Sequence, residues 1–127
     1  MSGLSLDTPS GENIVRWVRA DAIGVGAREL RRSFAVSATR LIDDWTVTDI
    51  AAMTEADIDR LLDAGSDVIL LGAGEQQRQL APALLYRGLR RGIGVEVMTN
   101  AAAARTYNLL LAEERRVLAA FILPASE

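Results

Sequence analysis

Apolar positions change their rhythm partway along this chain, and the change divides it into two kinds of structure. From Ile14 to Trp45 the apolar residues come in short runs at period two or in glycine-broken pairs. Ile14–Ala20 alternates with arginines around Trp17, and Ala22–Gly26 follows a turn near Asp21. Leu30–Ser37 places Phe34 and Val36 on one face, and Thr39–Trp45 is a fourth short run. These spacings predict strands joined as an antiparallel meander, with Gly24 and Gly26 suited to a hairpin or bulge.

After residue 50 the apolar stripe takes helical spacing. Thr48 or Thr54 can cap a helix; Thr54 has Asp57 three residues on and Gly65 beyond the last turn, and Ile58, Leu61 and Leu62 form the inner face. Asp67–Leu71 ends in a continuous apolar run, as a strand buried on both faces does. Pro82 opens a second helix that stops at Gly92. Val95–Met98 is the next strand, Asn100 is placed as the N-cap of a third helix reaching about Arg116, and Val117–Leu123 is the last strand, stopped by Pro124. Helix and strand alternating over short connections predict an α/β fold, an N-terminal antiparallel meander followed by a layered sheet. Strands 67–71 and 95–98 should run parallel with a right-handed crossover, and local rules make the last strand parallel too. The meander either extends the sheet or covers part of one face. Residues 1–12 are polar and turn-rich and are expected to be flexible, leaving 13–127 as a single α/β domain.

Composition narrows the chemistry. The 127 residues are half apolar and poor in aromatics, so one aliphatic core is expected. The chain contains no cysteine, histidine or lysine; all 14 cations are arginine. Disulfides, thiolate nucleophiles, histidine proton transfer and Schiff-base chemistry are thereby excluded. The arginine usage is explained at least as well by genome base composition as by function. No apolar window reaches the 18 or so residues of a membrane span, and the first residues resemble neither a secretory signal nor a transit peptide. A cytoplasmic, bacterial-type protein is the default reading. A net charge of −3 argues against non-specific nucleic-acid binding. The charge is uneven: residues 43–67 carry Asp43, Asp44, Asp49, Glu55, Asp57, Asp59, Asp63 and Asp67 against Arg60, while 76–95 carry Arg78, Arg87, Arg90 and Arg91 with no acid. Two readings stand: solvated helix faces of opposite sign, or one face turned to a charged partner.

Candidate chemistry gathers at the strand ends. Gly72-Ala73-Gly74-Glu75-Gln76-Gln77 begins like a dinucleotide fingerprint, but Gln77 replaces the third glycine and Pro82 lies too far on for a helix to open at once. The plainer reading is a sharp strand exit whose glycines need unusual backbone angles. Thr99-Asn100 opens a helix at the end of a neighbouring strand, and Arg105 and Asn108 follow on one face. Glu75, Asn100, Arg105 and Asn108 can form a polar cluster for a small anion or a partner's backbone; equally, Asn100 caps, Arg105 pairs with Glu75 or solvent, and Asn108 satisfies a buried carbonyl. Tyr107 reads as packed, with its hydroxyl at the rim. Asp43-Asp44 point apart if they lie on a strand, which suits a turn or edge better than a metal site. Arg87, Arg90 and Arg91 sit favourably at a helix C-terminus.

The run RGIGVEVMTNAAAARTYNLLLAEERRVLAAFILP, with VILLGAGEQQ and LIDDWTV before it, resembles a small α/β family of mostly uncharacterised proteins whose eukaryotic members are mitochondrial assembly factors for respiratory complex I. The resemblance covers most of residues 14–124. It implies a three-layer fold around a mixed central sheet, allows the last strand to run antiparallel, and carries no catalytic residue. Gly72, Gly74, Glu75, Asn100, Arg105, Tyr107 and Asn108 coincide with the candidate cluster. The expected function is therefore that of a non-enzymatic soluble interaction protein assisting assembly of complex I or a similar membrane complex. Its partners would be complex subunits or other assembly factors, through which it can sit peripheral to the inner membrane. The alternative is a binder of a small anionic or nucleotide-like ligand, or an enzyme, at the strand C-termini. No metal and no cofactor are implied.

Overall fold

Why the opening strands form two sheets rather than one is decided at Ser33. The computed structural model describes residues 13–125; the N-terminal segment 1–12 expected to be flexible lies outside the described residues. β1 (Val15–Val18), β2 (Ile23–Val25) and β3 (Arg28–Leu30) make a three-stranded antiparallel sheet. β4 (Phe34–Val36) and β5 (Leu41–Ile42) belong to a second sheet. The sequence pattern predicted one strand over Leu30–Ser37. The break falls where Ser33, 3 % exposed, donates its hydroxyl hydrogen to Val47 O and accepts from Leu123 N at 2.8 Å. A buried hydroxyl satisfied on both sides anchors the crossing from one sheet to the other. The meander thus does both things expected of it: its first part covers a face and its second part extends the sheet.

The remaining elements among the described residues are α1 (Glu55–Leu62), β6 (Val68–Gly72), α2 (Pro82–Arg90), β7 (Gly94–Met98), α3 (Asn100–Ala112) and β8 (Val117–Phe121), with a 3-10 turn at Ile50–Ala52. The central sheet has the order β5-β4-β8-β6-β7. β6 runs parallel to both β7 and β8, and β4 is antiparallel to β8 and β5, so the sheet is mixed. The last strand is parallel to β6, as the local rules predicted, because α3 carries the chain back to the end of the sheet where β6 starts.

Period-two burial makes the three layers. Ile69, Leu71, Leu118 and Ala120 face a core shared with Ile58, Leu61 and Leu62 of α1 and Leu84 of α2. Leu70, Val117, Ala119 and Phe121 face the other way, onto Ala103, Ala104, Tyr107 and Leu111 of α3 and onto Val15, Ile23 and Val25 of the small sheet. Small residues at 103 and 104 let α3 lie close on the sheet. The Phe34 and Phe121 rings stack at 5.2 Å between β4 and β8.

Helix ends follow their local chemistry. At α1, Thr54 Oγ1 accepts from Asp57 N at 3.2 Å and Asp57 Oδ2 accepts from Thr54 N at 2.9 Å, the reciprocal cap expected from the sequence. At α3 the cap is Thr99, whose Oγ1 accepts from Ala102 N at 3.2 Å; Asn100, expected as the cap, is the first helical residue. The helix also stops four residues before the predicted end. Arg115 N donates to Leu110 O at 3.0 Å and Glu114 N to Leu111 O at 2.9 Å, with Glu114 at φ 62°. This is a Schellman closure with glutamate in the left-handed position that glycine usually takes, so no glycine marks the end. Glu114→Gly should therefore raise stability by about 0.5–1 kcal/mol, read as a higher urea midpoint at unchanged slope; a lower midpoint would contradict the assignment.

Candidate functional site

The parallel strands end at a rim that Asn100 ties together. Its backbone N donates to Gly74 O at 2.8 Å, its Oδ1 accepts from Gly74 N at 3.2 Å, and its Nδ2 donates to Ile122 O at 3.0 Å. Ile122 N donates to Gly72 O and Ala73 N to Met98 O, both at 2.9 Å, so the ladder continues on either side just past the strands. Asn100 is 3 % exposed and spends its carboxamide on backbone where the ends of β6 and β8 diverge. The glycines have separate reasons. A Cβ on Gly72 would lie 2.3 Å from Asn100 Oδ1, so that position needs the missing side chain for close approach. Gly74 has φ +104°, open only to glycine at low cost.

The other candidates divide. Glu75 and Arg105 are exposed and make no ion pair with each other or with any other described residue. Tyr107 and Asn108 turn towards the small sheet. Tyr107 OH donates to Asn13 O at 2.9 Å, while Asn108 Oδ1 accepts from Val15 N at 3.0 Å and its Nδ2 donates to Val15 O at 2.8 Å. Burial pushes the Tyr107 phenol well above its ordinary range, so it stays protonated. The structure thus brings Gly72, Gly74 and Asn100 into contact, leaves Glu75 and Arg105 in solvent, and commits Tyr107 and Asn108 to β1. Among the described residues no three acidic, histidine or cysteine side chains group as metal ligands.

Two features were not read from the sequence. The acidic and basic stretches face each other. Arg87 grips Asp59 through Nε at 2.9 Å and Nη2 at 2.6 Å and approaches Glu55 at 3.6 Å; Arg91 pairs with Asp63 at 2.9 Å. Arg78 reaches Asp49 at 3.4 Å. The hydrogen bonds from Arg87 hold the Asp59 carboxyl below its ordinary range. These pairs neutralise much of both stretches within the molecule, which neither reading of the charge pattern foresaw. The available signal was the shared four-residue step of Glu55, Asp59 and Asp63 and of Arg87 and Arg91 on adjacent helices. Asp44, at the paired carboxylates, is held by Arg60.

The second feature is an apolar shelf. Leu89 is 71 % exposed, Tyr86 58 % and Leu85 36 %, all on α2. With Pro82, Ile93 and Val95 they line an open cleft of about 630 Å³. It borders β7, an edge strand whose outer side pairs with no strand among the described residues.

A family model described as a protein of unknown function (DUF498/DUF598) matches residues 15–122. The chain belongs to this family. An NMR structure of a Xanthomonas campestris protein superposes with a TM-score of 0.84 at 37 % identity, covering 98 % of this chain and 96 % of that one. The 13 kDa major membrane protein of Francisella tularensis is 29 % identical over 90 residues, 70 % of this chain and 73 % of that protein. Mouse NADH dehydrogenase (ubiquinone) 1 alpha subcomplex assembly factor 3 is 32 % identical over 85 residues, 65 % of this chain but 46 % of the factor, so the match spans under half of that relative's length. Distant relatives of this DUF498/DUF598 chain are therefore complex I assembly factors. No helix among its described residues is long and apolar enough to cross a membrane.

Proposed function

We propose that this chain is a non-enzymatic interaction protein that assists assembly of respiratory complex I or a similar membrane complex. It would act from the cytoplasm and reach the inner membrane through its partner, a subunit of the complex or another assembly factor. The observation that carries the reading is the α2 shelf beside the open edge of β7. Exposed leucines and tyrosine next to unpaired strand backbone suit a partner that adds a strand or lays an apolar face there. The names of the distant relatives support an assembly role. The chemistry supports a non-catalytic one: histidine, cysteine and lysine are absent, and the buried tyrosine keeps its proton. In this reading Gly72, Gly74 and Asn100 shape the rim, Tyr107 and Asn108 hold the small sheet against it, and Glu75 and Arg105 offer their charges to the partner.

Deleting the gene in its own host should lower the level and activity of assembled NADH–quinone oxidoreductase; an unchanged complex would count against the proposal. Leu89→Asp should remove co-purification of the complex's subunits or assembly factors, a loss of tenfold or more, while shifting stability by under about 0.5 kcal/mol because the side chain is mostly in solvent. Undiminished capture by that variant would move the contact elsewhere.

A further inference from the structure

The end of the sheet opposite the Asn100 rim carries a second cleft, of about 580 Å³. Three connections build it: the β4–β5 turn from Ser37 to Arg40, the α1–β6 loop from Ala64 to Ser66, and the loop after α3 from Glu114 to Arg116. Its chemistry is one-sided. Arg40 and Arg115 line it, and neither guanidinium makes an ion pair or hydrogen bond with a described residue. Arg116 is engaged by Asp67 at 3.0 Å, and Glu114 is the one acid among the lining residues. Ala38 and Ala64, both half-buried, supply apolar wall over the buried Leu111 and Val117.

Ser66 distinguishes this cleft from an ordinary basic patch. It is 9 % exposed, lines the cleft, and its hydroxyl has no hydrogen-bond partner among the described residues. A buried hydroxyl left without a protein partner costs free energy unless something outside the chain satisfies it. Two unengaged guanidinium groups lining one cleft favour an oxyanion, which guanidinium holds by charge-assisted hydrogen bonds.

We propose that this cleft binds a small oxyanion carried on a short apolar arm, a carboxylate or phosphate head meeting Arg40, Arg115 and the Ser66 hydroxyl while the arm lies on Ala38 and Ala64. The site is separate from the α2 shelf and does not depend on the assembly reading.

The test is an NMR titration of the whole chain, following backbone amides, with hexyl phosphate, hexanoate, hexanol and inorganic phosphate as probes. Hexyl phosphate or hexanoate should give saturable shifts at millimolar concentration in residues 37–40, 64–66 and 114–117, and the tighter of the two identifies the head. Arg40→Gln and Arg115→Gln should each weaken binding about tenfold, and Ser66→Ala should weaken it about threefold. Arg90→Gln, a change of equal charge on another face, should bind as the parent does. Well-dispersed spectra establish that each variant is folded. Hexanol binding as tightly as hexanoate would overturn the anion, and inorganic phosphate binding as tightly as hexyl phosphate would overturn the arm. No saturable shift with any probe, or shifts indifferent to both arginines, would overturn the site.

Discussion

Gly72→Ala is expected to destabilise the chain by about 3–4 kcal/mol, in spite of the small size of the added methyl. The new carbon would lie 2.3 Å from Asn100 Oδ1, 3.1 Å from a Phe121 ring carbon and 3.2 Å from the Asn100 Cα. None of the three yields easily. The carboxamide is held by Gly74 N and Ile122 O, the Phe121 ring is packed on Phe34, and the Cα belongs to the first turn of α3. Moving the carboxamide aside would leave a donor and an acceptor unpaired at the rim, and pushing the backbone would lift α3 from the sheet. Urea unfolding measures the loss, and a change under about 1 kcal/mol would show that the rim relaxes. Asn100→Ala alone should cost about 2–3 kcal/mol through the two abandoned backbone groups. The double variant should cost clearly less than the sum, because once the carboxamide is gone the methyl has space to occupy. Additivity would mean that the two residues act independently, against the geometry of the rim.

Much of the fold was legible because its signals are local. The reciprocal cap at Thr54, the apolar run into β6, proline opening α2 and glycine closing it each depend on a few neighbouring residues. The errors lie where a distant group decides. Ser33 divides the predicted strand over 30–37 through bonds to Val47 and Leu123, 14 and 90 residues away. The α3 terminus was misplaced for a different reason: a glutamate does the work that glycine signals, and the backbone angle of Glu114 leaves no mark in the sequence. The charge pattern shows the same limit. Complementary stretches were visible, but that they meet depends on α1 and α2 lying side by side on one face of the sheet. At the candidate cluster, Asn100 meets Gly72 and Gly74 across the ends of neighbouring parallel strands, while Glu75, Arg105 and Asn108, read as its companions from residue type and spacing, do not join it. The alternative in which Asn100 caps and Asn108 satisfies a buried carbonyl came nearer, since both carboxamides are spent on backbone; nothing local shows that the strand Asn108 serves lies more than 90 residues earlier. The α2 shelf went unread because Leu85, Tyr86 and Leu89 resemble core positions until the neighbouring elements are in place.

Asn108→Ala should loosen one part of the molecule more than the rest. The carboxamide acts as a surrogate strand: it accepts from Val15 N and donates to Val15 O, on a residue only 5 % exposed. Tyr107 adds a hydrogen bond to Asn13 O, so two consecutive residues of α3 pin the start of β1. β1 is an edge of the small sheet and has β2 as its strand partner. Removing the carboxamide leaves one donor and one acceptor of buried backbone without partners, a cost of about 2–3 kcal/mol. The central sheet does not depend on that bond. Amide hydrogen exchange should therefore quicken most across residues 15–30, with β6 and β8 the last to lose protection. Tyr107→Phe removes one hydrogen bond and keeps the ring, so it should cost about 1 kcal/mol with the same regional bias. Uniform loss of protection in both variants would mean that the small sheet and the central sheet open as one unit, and that the α3 contacts to β1 are not a separate seam.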